Sequence, residues 1–289
     1  MAAFTDTNRD IILAHEILQA RSKQDFATHG ETIAGTAKYI VVCDGHGKSL
    51  IINYLRSVDW KTLLEDPKFI EKLMADIEKI ERDNPYECGN GGSTLSVVLY
   101  TENSIHCYWV GDSSIKIFED GKLVFVSDNH DRHNRAEVKR ISETCNMRGI
   151  ERENVWDIQL VDDKIIKSVP SALFDFGAGH RINMTHALGH GGRTGSHFGY
   201  SNFVNMDPTK TYKVVVASDG FWDMTYSGDD DYIGNCDNGP KELVAFANSR
   251  WRQEWIHDNT VRRIPGIKFP DDNIDDIAVA TALIKPLVL

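Results

Sequence analysis

Short apolar runs, separated by glycine and aspartate breaks, set the pattern of this chain. Tyr39-Ile40-Val41-Val42 is aromatic and β-branched, which predicts a strand. Asp44-Gly45-His46-Gly47 ends that strand in a tight turn. Lys48 to Ser57, with Leu50, Ile51, Ile52, Tyr54 and Leu55, suits a helix opening from the turn. Phe69, Ile70, Leu73, Met74, Ile77 and Ile80 recur at helical spacing after Asp66-Pro67. Cys88 to Gly92 breaks the pattern, and a dense β region follows. Its strands are Leu95 to Tyr100, Ile105 to Val110, Ser114 to Phe118 and Leu123 to Val126, the last two joined by a hairpin turn at Glu119 to Lys122. Arg135 to Thr144 reads as helical, and Glu151 to Phe176 as an irregular insertion. Thr185 to Gly199, rich in Gly and His, reads as a mobile loop near a cleft. Lys213 to Ala217 is a buried strand ending in Ser218-Asp219-Gly220. Glu242 to Ile256 predicts an amphipathic helix with Trp251 and Trp255 on its core face. Ile277 to Ile284 is a final strand, and Ile11 to Leu18 is a strand or a short helix. Meanders, then helices, then strands again are not a βαβ alternation, so the expected class is α+β with antiparallel sheets.

Composition narrows the function. The chain has 289 residues, enough for one large domain or two small ones with a substantial core. Lys and Arg number 32 and Asp and Glu 43, a net charge of −11, which argues against a nucleic-acid binder with a broad basic footprint. An anionic substrate stays open, because clustered carboxylates hold cations and cations hold phosphate. The five cysteines are scattered, with no Cys-x-x-Cys pair. That points away from a cysteine zinc site and towards a reducing, intracellular compartment, cytoplasmic or nuclear. Met1 to Asp10 is polar, without the apolar core of a signal peptide, and no apolar run approaches the ~18 residues of a membrane span.

The candidate chemistry lies in acids at strand ends. Asp44 follows one strand, Asp219 follows another, and Asp272, Asp275 and Asp276 precede the last. Asp223 lies four residues past Asp219, and Asp128 follows the strand Leu123 to Val126. Side by side, these strand ends would gather four or five carboxylates. Such a cluster resists ionisation unless cations neutralise it. Hard oxygen ligands suit Mg²⁺ or Mn²⁺, and two such ions about 4 Å apart can clamp a phosphate for in-line displacement.

Each motif alone is weak, since Asp-Gly is above all a turn dipeptide. Their order is specific. Asp44-Gly45-His46-Gly47, Gly92-Ser93-Thr94, Val110-Gly111-Asp112-Ser113, Ser218 to Asp223 and Asp272-Asn273-Ile274 resemble, in sequence, the signatures of the type 2C (PPM) metal-dependent serine/threonine protein phosphatases. Asp128-Asn129-His130, Glu137 to Ile141 and His186-Ala187-Leu188-Gly189 are similar to lesser family segments. The similarity runs from about residue 20 to 284.

The resemblance implies a four-layer α-β-β-α sandwich with two central antiparallel sheets. It implies one phosphatase domain over residues 1–289 with a flap-like insertion around 146–184. It implies two or three Mg²⁺ or Mn²⁺ ions. Asp44 would bridge two ions, with the Gly45 carbonyl, Asp25, Asp219 and Asp272 completing the shells, and Asp223 and Asp128 would support a third. Asp272 is preferred over Asp275 because Asn273 follows it. Asp112 matches a residue of more structural role. A metal-bridging hydroxide would attack the phosphoserine or phosphothreonine, His46 would protonate the leaving oxygen, and Arg21 would clamp the phosphate. There are departures. Gln24-Asp25 stands where the family has Glu-Asp, and Arg21 lies one residue nearer that pair than usual. Lys48 replaces a glycine, and His186 and His190 replace an arginine and an aspartate. They keep a second reading open, a catalytically weak pseudophosphatase serving as a binding or scaffold module. A third is a hydrolase of small phosphoesters. The expected partners are phosphorylated proteins, with no nucleic acid or membrane, and the chain is expected to be a monomer.

Overall fold

The structure is a computed structural model and describes residues 9–20, 22–101, 104–144, 149–151, 156–170, 173–175, 181–204, 206–259 and 262–287. The chain opens with β1 (Ile11–Leu18), β2 (Phe26–Glu31), β3 (Lys38–Cys43) and β4 (Gly45–Gly47). Four helices follow, α1 (Leu50–Ser57), α2 (Trp60–Leu63), α3 (Phe69–Asp83) and α4 (Pro85–Gly89). Then come β5 (Gly91–Ser93), β6 (Leu95–Thr101), β7 (Ser104–Val110), β8 (Ile115–Glu119), β9 (Lys122–Val126) and α5 (Arg135–Thr144). Seven short strands occupy the next stretch: β10 (Gly149–Glu151), β11 (Trp156–Leu160), β12 (Ile165–Pro170), β13 (Leu173–Asp175), β14 (Arg181–Ile182), β15 (Leu188–Gly189) and β16 (Gly199–Val204). The rest is β17 (Tyr212–Ala217), α6 (Asp219–Trp222), α7 (Asp230–Asn235), α8 (Pro240–Arg252), β18 (Trp255–Asp258), β19 (Arg263–Ile267) and β20 (Ile277–Ile284).

Two five-stranded antiparallel sheets form the centre, ordered β1-β20-β17-β8-β9 and β16-β7-β6-β3-β2. Alternation along β3 shows why its apolar run is unbroken. Ile40 and Val42 face the opposite sheet, while Tyr39, Val41 and Cys43 face α1 and α3. β17 repeats the logic: Val214 and Val216 point between the sheets, and Val215 and Ala217 point to α6 and α8. Ala278, Ala280 and Ala282 of β20 keep the facing sheets close. Three apolar layers between four structural layers make the α-β-β-α sandwich. Along one edge His15 of β1 meets His29 of β2, Nδ1 to Nδ1 at 2.8 Å, joining the two sheets.

The hydrophobic pattern located β3, β6 to β9, β17, β20, α1, α3 and α5. Two expectations change. The late helix stops at Arg252, because Gln253 turns extended, and Trp255 belongs to β18. Trp251 and Trp255 both remain core residues, each packed against Phe269 with ring centroids 5.0 and 6.5 Å away. Part of the insertion is regular: β11 and β12 form a hairpin, and β12 pairs in parallel with β18, which pairs with β19.

Candidate metal centre

Three β-strands of the two central sheets deliver carboxylates to one end of the sandwich. Asp44 sits between β3 and β4, its N–H donating to Thr94 Oγ1 at 2.9 Å and its carbonyl accepting from Thr94 N at 2.8 Å. Gly45 cannot be larger, since a Cβ there would lie 2.7 Å from Ile52 Cβ. Asp219 opens α6 directly after β17, and a Cβ on Gly220 would lie 1.9 Å from the Asp276 carbonyl oxygen. Asp112 follows β7 past Gly111, whose φ of +101° suits glycine. Carboxylate oxygens of Asp44, Asp112 and Asp219 all lie within 4.8 Å of one another.

Asp25 joins from the loop before β2. It is 2 % exposed and accepts from Ser218 Oγ at 2.7 Å. Burial, then the charges of Asp219, Asp25, Asp112 and Asp275, push the Asp44 carboxyl far above the usual carboxylate range. Burial raises Asp25 to about 8 despite the Ser218 bond, with Asp219 adding to it. Asp112 and Asp219 also rise through burial, and buried Asp112 Oδ1 has no hydrogen-bond partner among the described residues. Crowded, desolvated carboxylates of this kind stay ionised only beside cations. An all-oxygen donor set fits Mg²⁺ or Mn²⁺.

The later acids sort differently from the sequence expectation. Asp272 lies exposed in the 3₁₀ turn Asp271–Asn273, on the wall of a cavity that Asp223 and Asp275 also line. Asp275 is the late aspartate that faces Asp219, and burial followed by that charge raises it to about 7. Asp276 is 1 % exposed and does structural work, accepting from Ala20 N, Ser22 Oγ and Gln24 N at 2.6, 2.5 and 2.8 Å. The turn leaves Asp272 in solvent and sets Asp275 next to Gly220. Asp223 lies at the mouth of the cleft, facing Asp219, Asp157, Asp112 and Asp275. Asp128 is exposed, its carbonyl accepting from Trp109 Nε1 at 2.8 Å, and Asp131 rather than Asp128 faces Asp112. Asp112, expected to be structural, is a full member of the cluster.

A family model for protein phosphatase 2C matches residues 18–154, and the acids contributed by β17 and by the turn before β20 extend the same order of motifs beyond it. Over residues 18–154 the chain is similar to the type 2C phosphatases. Among curated relatives, a probable protein phosphatase 2C 56 of Oryza sativa subsp. japonica is 26% identical over 238 residues, covering 74% of this chain and 59% of its own. The chain thus spans little more than half the length of that relative. A solved sex-determining protein of C. elegans matches with TM-score 0.66 and 16% identity over 96% of this chain and 65% of its own. The catalytic domain of the serine/threonine protein phosphatase PstP, solved in complex with two manganese ions, matches with TM-score 0.54 and 15% identity over 95% and 99%.

The remaining type 2C features depart from the family pattern. Arg21 lies outside the described residues. Gln24 spends its side-chain amide on the Gly47 carbonyl at 3.0 Å, bracing the turn. His46 faces another histidine: its Nε2 lies 2.5 Å from Nε2 of His190, the rings stacked at 4.6 Å and 21°. Burial lowers the His46 pKa to about 4. His190 is buried at φ +60°, a left-handed backbone rare outside glycine. The segment Thr185 to Gly199 is packed rather than loose. β15 pairs with β5, Arg193 Nη1 donates to the Gly89 carbonyl at 2.5 Å, and Gly191 N donates to Glu81 Oε1 at 3.0 Å. His186 contacts Glu137 at 3.0 Å, and Arg140 shares that carboxylate at 3.1 Å. No sequence pattern paired His46 with His190, because β4 and β15 meet only through β5.

Proposed function

We propose that this chain is a metal-dependent protein phosphatase hydrolysing phosphoserine and phosphothreonine. The observation that carries the reading is the convergence of Asp44, Asp112 and Asp219 within 4.8 Å at one end of the sandwich. Asp44, Asp219 and Asp275 would hold Mg²⁺ or Mn²⁺, with the Gly45 carbonyl and Asp25 beside them and Asp112 and Asp223 supporting a further ion. Bound ions of this kind supply Lewis acidity and a strong nucleophile from water at neutral pH. The chain's own groups do the rest. The carboxylates would fix the ions at the end of two rigid sheets, and His46, stacked on His190, would protonate the departing seryl or threonyl oxygen once a bound phosphoryl dianion raises its pKa from about 4. Cys43, Cys88 and Cys107 are buried free thiols, which fits a reducing compartment, while Cys145 lies outside the described residues. No helix among the described residues is long and apolar enough to cross a membrane.

The test is hydrolysis of a phosphoserine peptide with Mn²⁺ or Mg²⁺. Activity should vanish with chelator and fall at least about a hundredfold in Asp219→Asn, a metal ligand being worth several kcal/mol of transition-state stabilisation. Turnover unaffected by EDTA would sink the reading. Tight metal binding by calorimetry without turnover would favour the scaffold alternative, for which Gln24 in place of an acid speaks.

A further inference from the structure

We propose that Arg132 is a phosphate-binding residue of this site, oriented by Asp157 from the β11–β12 hairpin. The inference rests on the phosphatase reading and deepens it, since Arg132 belongs to none of the motifs singled out in the sequence.

Position comes first. Arg132 lies in the loop between β9 and α5, and its positive charge acts on both Asp112 and Asp219. The loop that carries it is pinned. Ser114 Oγ donates to Asn129 Oδ1 at 2.5 Å, and His130 N to the Gly111 carbonyl at 3.0 Å. Arg132 N itself donates to the Asn183 carbonyl at 3.2 Å. The guanidinium therefore meets the cluster from a fixed backbone.

Its donors are divided in a telling way. Nη2 is ion-paired with Asp157 Oδ2, and His133 Nε2 lies 3.5 Å from the same oxygen. Burial alone would raise the Asp157 carboxyl, but hydrogen bonds from His133 and Arg132 hold it down to about 2, so this anchor stays charged. Nε, by contrast, is buried with no hydrogen-bond partner among the described residues. A buried donor without an acceptor is costly, and a guanidinium is a planar fork of five donors that matches phosphate oxygens. A phosphoryl group over the Asp112–Asp219 end would supply the missing acceptor. With the carboxylates held by cations and the dianion by Arg132, each charge at the site would have its counterpart. Asp157 is a positioning residue: it fixes the plane of the fork from the insertion.

The test uses inorganic phosphate as the probe on the manganese-loaded protein. Calorimetry measures phosphate affinity directly, and steady-state hydrolysis of p-nitrophenyl phosphate gives KM, kcat and the phosphate inhibition constant. Arg132→Ala should weaken phosphate binding and raise KM by about tenfold or more, with manganese affinity kept. Arg132→Lys, which retains charge but loses the fork, should recover part of that loss. Asp157→Asn should raise KM about threefold while leaving kcat near wild type, a split that a merely structural tie would not give. Phosphate affinity within about twofold of wild type in Arg132→Ala overturns the proposal, as does wild type that binds no phosphate. If Arg132→Ala does not fold, unchanged phosphate affinity in both Arg132→Lys and Asp157→Asn overturns it equally. Wild type that binds phosphate through Arg132 but releases none from phosphopeptides would remove the phosphatase reading and leave this assignment standing.

Discussion

At the scale of single residues, the site is a problem of charge confined by backbone. Asp44 and Asp219 were legible because each is the first charged residue after a run of β-branched residues, where a buried strand must surface. Asp272 was not separable from Asp275 by spacing, since a single 3₁₀ turn decides which of them faces inward. The resemblance undervalued Asp112, whose burial and nearness to Asp44 and Asp219 are tertiary facts. Backbone proximity gives the sharpest prediction here. At Gly220 a Cβ would meet a carbonyl oxygen at 1.9 Å, and backbone cannot rotate aside as a side-chain tip can. Gly220→Ala should therefore cost on the order of 1–3 kcal/mol and displace Asp275, seen as a lower urea midpoint together with weaker manganese binding. An unchanged midpoint would contradict the geometry.

At the scale of elements, what could be read was the run with both faces buried. β3, β17 and β20 are near-continuous apolar stretches because each packs a sheet on one side and helices on the other. What could not be read was pairing between distant short segments. The β12–β18 parallel pair joins the insertion to the strand after α8, and nothing local to Trp255 announces it. The β1–β2 edge makes a testable device. Burial lowers the pKa of His15 and of His29, with the neighbouring His29 adding to the effect on His15. A histidine depressed below its ordinary 6.5 is protonated more readily in the unfolded chain, so folding loses stability as acid is added. The contribution is complete above pH about 6.5 and declines as pH falls through the lowered values. In the manganese-loaded protein the thermal midpoint should drop between pH about 7 and 5, and His15→Asn should flatten that drop. A midpoint equally pH-dependent in the variant would refute the role of the pair.

At the scale of the whole molecule, the sandwich holds a cluster that it cannot stabilise by itself. Asp25 and Asp275, raised to about 8 and about 7, resist ionisation in the folded state without cations. A carboxylate raised on folding costs nothing while protonated in both states, below pH about 4, and destabilises progressively as pH rises toward those values. Chelated protein should therefore lose thermal stability from pH about 4 to 8, and manganese should restore it most at the upper end. A chelated midpoint flat across that range would show that the carboxylates are neutralised by other means. Sheet order adds a kinetic consequence. β20 lies between β1 and β17, Ile11 pairing with Ile284, and Asp275 and Asp276 stand immediately before it. Contacts so distant along the chain form slowly. Until β20 has docked, β1 and the facing edge of β17 wait unpaired, and the loop that Asp276 ties down has no anchor. Ion capture would then wait for β20 to dock, with β20 as the latch.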